Sequence, residues 1–161
     1  MRRAIDLRRR LTPGDTVSLA ELLHELGILR EGQGHAEEGL ELKLQALAML
    51  EPLVEPGAAV LHQMRSNLAI ALAGLGRHRD AEPLYRAAIA GLEARLGPEH
   101  PDLIASLTSF GKFLMAQGRF AGAAPVVERA VAIAEATGVD RFDTVGARIN
   151  LADTDAFATC P

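Results

Sequence analysis

The sequence predicts an all-α fold, a right-handed solenoid of antiparallel helix pairs with about seven or eight helices. Three observations lead to this fold class. Glycine, alanine and leucine residues recur at a spacing of 42 residues. Within each repeat, apolar residues recur at spacings of three and four, which is the period of an amphipathic helix. The 161-residue chain is 48% hydrophobic but only 4% aromatic, and this composition argues against an aromatic-rich β-sandwich.

The 42-residue spacing occurs in three independent sets of residues. The sets are Gly34, Gly76 and Gly118; Ala46, Ala88 and Ala130; and Leu19, Leu61 and Leu103. A repeat of this length is one supersecondary unit that stacks on its neighbours to bury a continuous core. We therefore expect a single array over 1–161. It would contain whole repeats at 18–60, 61–102 and 103–140, a partial unit (second helix plus linker) at 1–17, and a partial unit with an irregular tail at 141–161.

Each whole repeat is expected to contain two helices joined at a glycine. The first helices are predicted at 19–32, 61–74 and 103–116, and the second helices at 36–52, 78–95 and 120–136. The glycine after each first helix can adopt the left-handed conformation that ends a helix and turns the chain. Ser18 and Glu21 have the spacing of a capping box, which predicts a helix start at residue 19. Gly27 and Gly111 are expected where paired helices approach closely.

The amino-terminal segment is basic, but it lacks the apolar stretch of a secretory signal. No stretch approaches the ~18 apolar residues that a membrane-spanning helix requires. A transit peptide or an RNA-binding arm is the alternative interpretation of this arginine-rich start. The net charge of −4 gives no general attraction to nucleic acid or to an anionic membrane. We expect a cytoplasmic protein with neither nucleic acid nor membrane as a partner.

Two stretches of the second repeat carry a family resemblance. They read Ala-Glu-Pro-Leu-Tyr-Arg-Ala-Ala-Ile-Ala at 81–90 and Leu-Gly-Pro-Glu-His-Pro-Asp at 96–102. The chain resembles the tetratricopeptide repeat (TPR) family over residues 4–152, in its 42-residue kinesin-light-chain-type variant. The resemblance implies a TPR superhelix and a non-enzymatic protein-interaction module. The first repeat departs from the family pattern at Lys43, where the family has an aromatic residue.

The resemblance also implies where a partner binds. In the family, the first helices line a concave groove that takes an extended or helical peptide segment. Polar residues of a Leu-Asn-Asn-Leu-Ala pattern lie in that groove. This chain matches the pattern at Asn67 and, more weakly, at Asn150. The equivalent positions elsewhere hold His24 and Glu25, Ser66, and Thr108 and Ser109.

A geometric argument gives the candidate groove residues independently of the family. Residues just beside the apolar face of each first helix are expected to face the inner curve of a solenoid. They are Glu21, Glu25 and Ile28 in the first repeat, Gln63, Asn67 and Ile70 in the second, and Ala105, Ser109 and Lys112 in the third. An asparagine there offers a donor and an acceptor to a peptide backbone, while isoleucine offers apolar contact. The alternative is that these residues are solvated helix positions.

The acidic residues are concentrated in one part of the array. Residues 19–60 carry eight acidic and two basic side chains, whereas the next two repeats are balanced. This acidic part would favour a basic partner segment through electrostatic steering. For Glu37, Glu38 and Glu41 the simpler interpretation is a solubilising outer face.

The side chains that catalysis or metal binding would need do not form any recognisable pattern. The five histidines are never three or four residues apart, and there is no His-Glu-x-x-His motif. The single cysteine, Cys160, has no neighbouring base and cannot form an internal disulfide. We therefore expect no catalytic residues, no cofactor and no metal ion.

The sequence favours a non-catalytic scaffold or adaptor that binds a protein or peptide partner in its concave groove. One alternative is a sensor or arm fragment of a larger bacterial signalling protein. Another is a self-associating structural module, a homo-oligomer that pairs through exposed solenoid ends. The apolar residues expected at those ends are Ile5, Leu7 and Leu11 on one side and Ile149, Leu151 and Phe157 on the other.

Overall fold

The computed structural model describes residues 13–55 and 57–138, and these form six α-helices. In chain order they are α1 (Pro13–Gly32), α2 (Ala36–Leu50), α3 (Ala59–Gly74), α4 (His78–Leu96), α5 (Leu103–Ala116) and α6 (Phe120–Thr137). The described part of the chain thus has six helices, not the seven or eight predicted for the whole. The remaining helices were predicted in the partial units, at residues that lie largely outside the described ranges.

The predicted helix boundaries agree with the observed ones to within two residues, except that α1 starts six residues earlier than expected. It begins at Pro13 instead of residue 19, so Ser18 lies inside the helix and the predicted capping box is wrong. Proline is favoured at the first helical position because its φ is already helical and its missing N–H would have no partner there. Asp15 in the first turn adds a favourable interaction with the positive end of the helix dipole.

The same turn joins the two helices of each repeat. Gly34, Gly76 and Gly118 all have positive φ, at 87°, 74° and 71°. After each glycine, the next backbone N–H donates to a carbonyl five residues back, with His35 N–H to Arg30 O at 2.9 Å as the first example. The corresponding distances at Arg77 and Arg119 are 2.8 and 3.0 Å. This pattern is the Schellman motif, and its recurrence at 42-residue intervals confirms the repeat inferred from the sequence.

The described residues up to Leu84 form one compact unit, the first unit, and those from Tyr85 onward form the second. In the first unit α1 packs against α2, and α2 packs against α3. Helices α1 and α2 approach each other closely where both have glycine. A Cβ on Gly27 would lie only 2.8 Å from the carbonyl oxygen of Gly39, so a larger residue would not fit there. The sequence predicts an apolar face for α3 made of Leu61, Met64, Leu68, Ala71, Leu72 and Leu75. All of these are buried except Leu75, which follows the end of the helix and is half-buried.

The second unit is built around aromatic side chains. Helix α5 packs against α6, and a Cβ on Gly111 would overlap the Val127 side chain. The buried ring of Tyr85 has its centroid 5.7 Å from that of Phe110 and 5.0 Å from that of Phe113. Aromatic pairs at such distances stabilise a core beyond the area they bury. Burial also raises the pKa of Tyr85 to about 12. The handedness of the array and the repeat boundaries stay predictions.

Candidate functional site

A groove between α1 and α3 lies within the first unit and has a volume of about 280 Å³. Its lining residues are Glu21, His24 and Glu25 from α1 and Val60, Gln63 and Met64 from α3. Three of these, Glu21, Glu25 and Gln63, are among the residues that the sequence analysis placed on the inner face. The 42-residue alignment therefore selected residues on two different helices that line one groove in the structure.

The two walls of this groove differ in chemistry. Glu21 and Glu25 are exposed, lie one helical turn apart on α1, and make no ion pair with any other described residue. On the α3 side, Met64 is buried and Val60 half-buried, while Gln63 is exposed. The groove consequently combines negative charge on one wall with apolar surface and one amide on the other.

Asn67 is half-buried on α3 and contacts α1 through His24. Its side-chain nitrogen Nδ2 lies 2.9 Å from Nε2 of the histidine ring. Since an amide nitrogen can only donate, Nε2 accepts this bond and the neutral ring carries its proton on Nδ1. Burial lowers the pKa of His24, the positive charge of Lys43 lowers it further, and Glu25 and Glu31 act in the opposite direction. The contact and the lowered pKa agree on a neutral histidine.

Lys43 extends this contact into a polar network that joins three helices. Its side chain is only 3% exposed, and its ammonium group lies 2.5 Å from a carboxylate oxygen of Glu31. It also approaches the backbone carbonyl of Asn67 at 3.5 Å. We refer to His24, Glu31, Lys43 and Asn67 as the polar network. Its members come from α1, α2 and α3, and pairing is what makes a buried ammonium tolerable.

Sequence reasoning missed most of this network. Lys43 was recognised only as a departure from an aromatic position, and Glu31 was not singled out. His24 was considered as an equivalent of a groove position but not included among the candidate residues. The available signal was a lysine at a repeat position that is otherwise apolar or aromatic, since such a lysine must either reach solvent or find a carboxylate.

The other predicted groove residues fall into two groups. Ile28 and Ile70 are both exposed and lie one turn beyond Glu25 and Asn67 on α1 and α3. Ser109 and Lys112 lie on α5, in the second unit, where Ser109 is half-buried and Lys112 exposed. Asn150 lies outside the described residues.

A larger cavity of about 570 Å³ occurs in the second unit, and the sequence did not predict it. It is lined by Glu93, Pro98, Glu99, Arg129, Ala132, Ile133 and Ala136. The guanidinium of Arg129 in this cavity already has partners within the protein. It pairs with Glu93 and donates to the Pro98 carbonyl at 2.7 Å. Among the described residues, no three or more His, Cys, Asp or Glu side chains come together as metal ligands. No helix in those ranges has the length and apolar content needed to cross a membrane.

Residues 60–136 match the family profile described as tetratricopeptide repeat. No curated protein matches the chain. Among solved structures, BtubC (BKLC) from P. vanneervenii is 20% identical with a TM-score of 0.83, covering 93% of this chain and 59% of that protein. A putative kinesin light chain with nearly identical TPR-like repeats from Podosopora anserina is 24% identical, with a TM-score of 0.71 and coverages of 84% and 64%.

A crystal structure of a variant of that Podosopora anserina protein is 23% identical with a TM-score of 0.75, covering 94% of this chain and 71% of the other. At these identities the similarity shows the fold. The chain spans less than two thirds of the length of the first two of these proteins. The helices, the glycine turns and these comparisons agree on one repeat architecture.

Proposed function

We propose that this chain, which matches the tetratricopeptide repeat family over residues 60–136, is a non-catalytic scaffold or adaptor that binds a peptide segment of a protein partner. The segment lies along the first helices of the repeats, in the groove between α1 and α3, and Ser109 and Lys112 are the equivalent positions on α5. The observation that carries this proposal is the groove itself, which collects Glu21, Glu25 and Gln63 from two helices.

The chemistry of the groove supports a peptide ligand. Exposed amide and carboxylate groups can pair with the N–H groups of an extended segment, while Ile28 and Ile70 offer apolar contact at the next turn. Asn67 is oriented by His24, so its side-chain oxygen keeps the capacity to accept a hydrogen bond. On α5, the exposed Lys112 offers a cation at the equivalent position of the second unit.

The test is to pan a random dodecapeptide phage library against the immobilised chain and two double variants. The groove variant is Gln63→Ala/Ile70→Ala on α3. The control variant is Leu44→Ala/Gln45→Ala on α2, which removes the same kinds of side chain. Leu44 and Ile70 are similarly exposed, at 43% and 49%, and both glutamines are exposed.

Peptides enriched on the parent chain should be lost on the groove variant and kept on the control variant. Far-UV circular dichroism should show unchanged helix in both variants, because none of the four side chains is buried. Equal binding by all variants, or no enrichment on the parent chain, would count against the proposal.

A second candidate function, self-association, is favoured by an apolar stripe on α1. Leu22, Leu26 and Leu29 are all exposed and occupy one face of the helix at spacings of four and three. The solenoid-end residues considered from the sequence, such as Ile5 and Ile149, lie outside the described residues. Light scattering after size exclusion should show a dimer that Leu22→Ser/Leu29→Ser converts to a monomer. A monomeric parent chain at high concentration would exclude this function.

A further inference from the structure

We infer that the partner segment bound between α1 and α3 is basic, and that a lysine or arginine side chain of it sits against the carboxylates of Glu21 and Glu25. This inference rests on the proposed function and adds the chemistry of the partner. It concerns the groove of the first unit alone.

The carboxylates of Glu21 and Glu25 have no cationic partner among the described residues. Glu21 and Glu25 lie one turn apart, an arrangement in which like charges destabilise a helix. Residues 19–60 contain only two basic side chains, and each of them already pairs with a carboxylate of the same segment. Arg30 lies 3.4 Å from Glu38, and the Lys43 ammonium lies 2.5 Å from Glu31. A cation that neutralises the groove must therefore come from another molecule or from elsewhere in the chain.

The shape and lining of the cavity also suit a basic side chain. Its volume of about 280 Å³ has room for one long side chain. Val60 and Met64 provide an apolar wall, and the methylene stem of a lysine or arginine packs well on such a wall while its charged head stays near the carboxylates. Methionine adapts its shape to such a contact. An acidic side chain would instead meet two carboxylates without compensation.

His24 supports a bound segment in this groove independently of the carboxylates. This residue lines the groove and is only 3% exposed, and its Nδ1 has no hydrogen-bond partner among the described residues. Because Nε2 accepts from Asn67, Nδ1 carries a proton and is a donor without an acceptor. The groove lining therefore contains a buried donor that the described residues leave unsatisfied. The ring is neutral, so it does not repel a basic side chain beside it.

The experiment compares two charge-matched double variants of the full chain. Glu21→Gln/Glu25→Gln neutralises the groove pair. Glu37→Gln/Glu41→Gln neutralises an exposed pair with the same one-turn spacing on α2, and neither of its glutamates makes an ion pair within the described ranges. Dodecapeptide libraries are panned on the parent and both variants. The most enriched peptide is then synthesised with a fluorescent label, together with a copy whose lysines and arginines are replaced by glutamine.

Peptides enriched on the parent chain should carry lysine or arginine. The groove variant should raise Kd for the labelled peptide by about tenfold or more, because charge-assisted hydrogen bonds are lost, while the α2 variant should change it less than about twofold. The glutamine copy should lose a similar factor on the parent chain and almost none on the groove variant. Added salt should weaken binding to the parent more than binding to the groove variant.

The outcomes separate this inference from the proposed function. If enriched peptides are acidic or uncharged but still depend on Gln63 and Ile70, the groove binds peptides and the inference about charge is wrong. If the two glutamate variants weaken binding equally, the effect is one of overall charge and the inference is again wrong. If no peptide depends on the groove at all, the proposed function fails and the inference fails with it.

Discussion

Positions 43 and 85 are equivalent in the 42-residue repeat, and their side chains are equally buried, each 3% exposed. In the first unit the position holds Lys43, which pairs with Glu31 in the polar network. In the second unit it holds Tyr85, whose ring packs against those of Phe110 and Phe113 in a cluster of three. The repeat therefore fixes where a large side chain is buried, but not its chemistry. The unit that has a buried lysine at this position is also the unit that has the acidic groove.

The largest effect is expected from removing the aromatic anchor of the second unit. Tyr85→Ala should lower the free energy of unfolding by about 3–5 kcal/mol, since it deletes a buried ring and leaves a cavity. Tyr85→Phe keeps the ring contacts and should cost less than about 1.5 kcal/mol. Urea denaturation followed by circular dichroism measures both. A Tyr85→Ala protein as stable as the parent would mean that the aromatic cluster does not hold this unit together.

The next largest loss of stability is expected from breaking the ion pair between Lys43 and Glu31 in the first unit. Glu31→Ala leaves the buried ammonium of Lys43 without its carboxylate and should cost about 2–3 kcal/mol, less than for a fully buried pair because Glu31 is partly exposed. Lys43→Met replaces the charge by apolar volume and should change stability by less than about 1 kcal/mol. The double variant should therefore recover most of the loss. A double variant as unstable as Glu31→Ala alone would show that the ion pair is not the cause.

The close helix crossings of the two units differ in what a new methyl group would meet. At Gly27 it meets the backbone oxygen of Gly39, and at Gly111 it meets the side chain of Val127. Gly27→Ala should cost about 1–2 kcal/mol, because α2 must shift to relieve the overlap. Gly111→Ala should be rescued in part by Val127→Ala, whereas no such partner exists for Gly27.

Gly74 provides the control for these two glycine variants. It is also helical, but an added Cβ would meet nothing within 4 Å. Gly74→Ala should therefore be neutral or stabilising by up to about 0.5 kcal/mol. Urea denaturation of all three single variants makes the comparison. Equal losses at Gly27 and Gly74 would contradict the close approach of α1 and α2.

The smallest effect is a pH dependence of stability that His24 contributes in the first unit. The pKa of His24 is lowered by burial and then by Lys43, with Glu25 and Glu31 opposing, so the unfolded ring gains a proton near pH 6.5 while the folded ring stays neutral. The contribution of His24 to stability is thus complete above pH 6.5 and declines as the pH falls below it. His24→Gln should flatten this decline below pH 6.5. An unchanged slope would exclude His24 as its source.

Most of the fold could be predicted because the 42-residue period allows the repeats of one sequence to be aligned with each other. Once one glycine turn was recognised, the other two and the helices around them followed from it. The start of α1 could not be found in this way, because Pro13 and Asp15 have no counterpart in the other repeats. It depends on local preferences at that one helix end, which the repeat register does not report.

The candidate site was predicted in part, for a similar reason. The register placed Glu21, Glu25 and Gln63 on the inner face of their helices, and these residues line the same groove. It could not reveal that His24, Lys43 and Asn67 meet, because their contact depends on three helices packing at a particular distance. Lys43 in particular breaks the pattern, because its position is buried in the repeat and an ammonium is tolerated there only through its pairing with Glu31. That this groove binds a partner stays a prediction.

The glycine turns have a consequence for the order in which the chain folds. Each one closes a helix pair across only a few residues, so these contacts have low contact order and should form early. The bond between Asn67 and His24 instead joins residues 43 apart in sequence, and its formation must wait for α1 and α3 to come together. Variants of the polar network should therefore accelerate unfolding while leaving the folding rate nearly unchanged. The groove would then be the last feature of the first unit to form and the first to open.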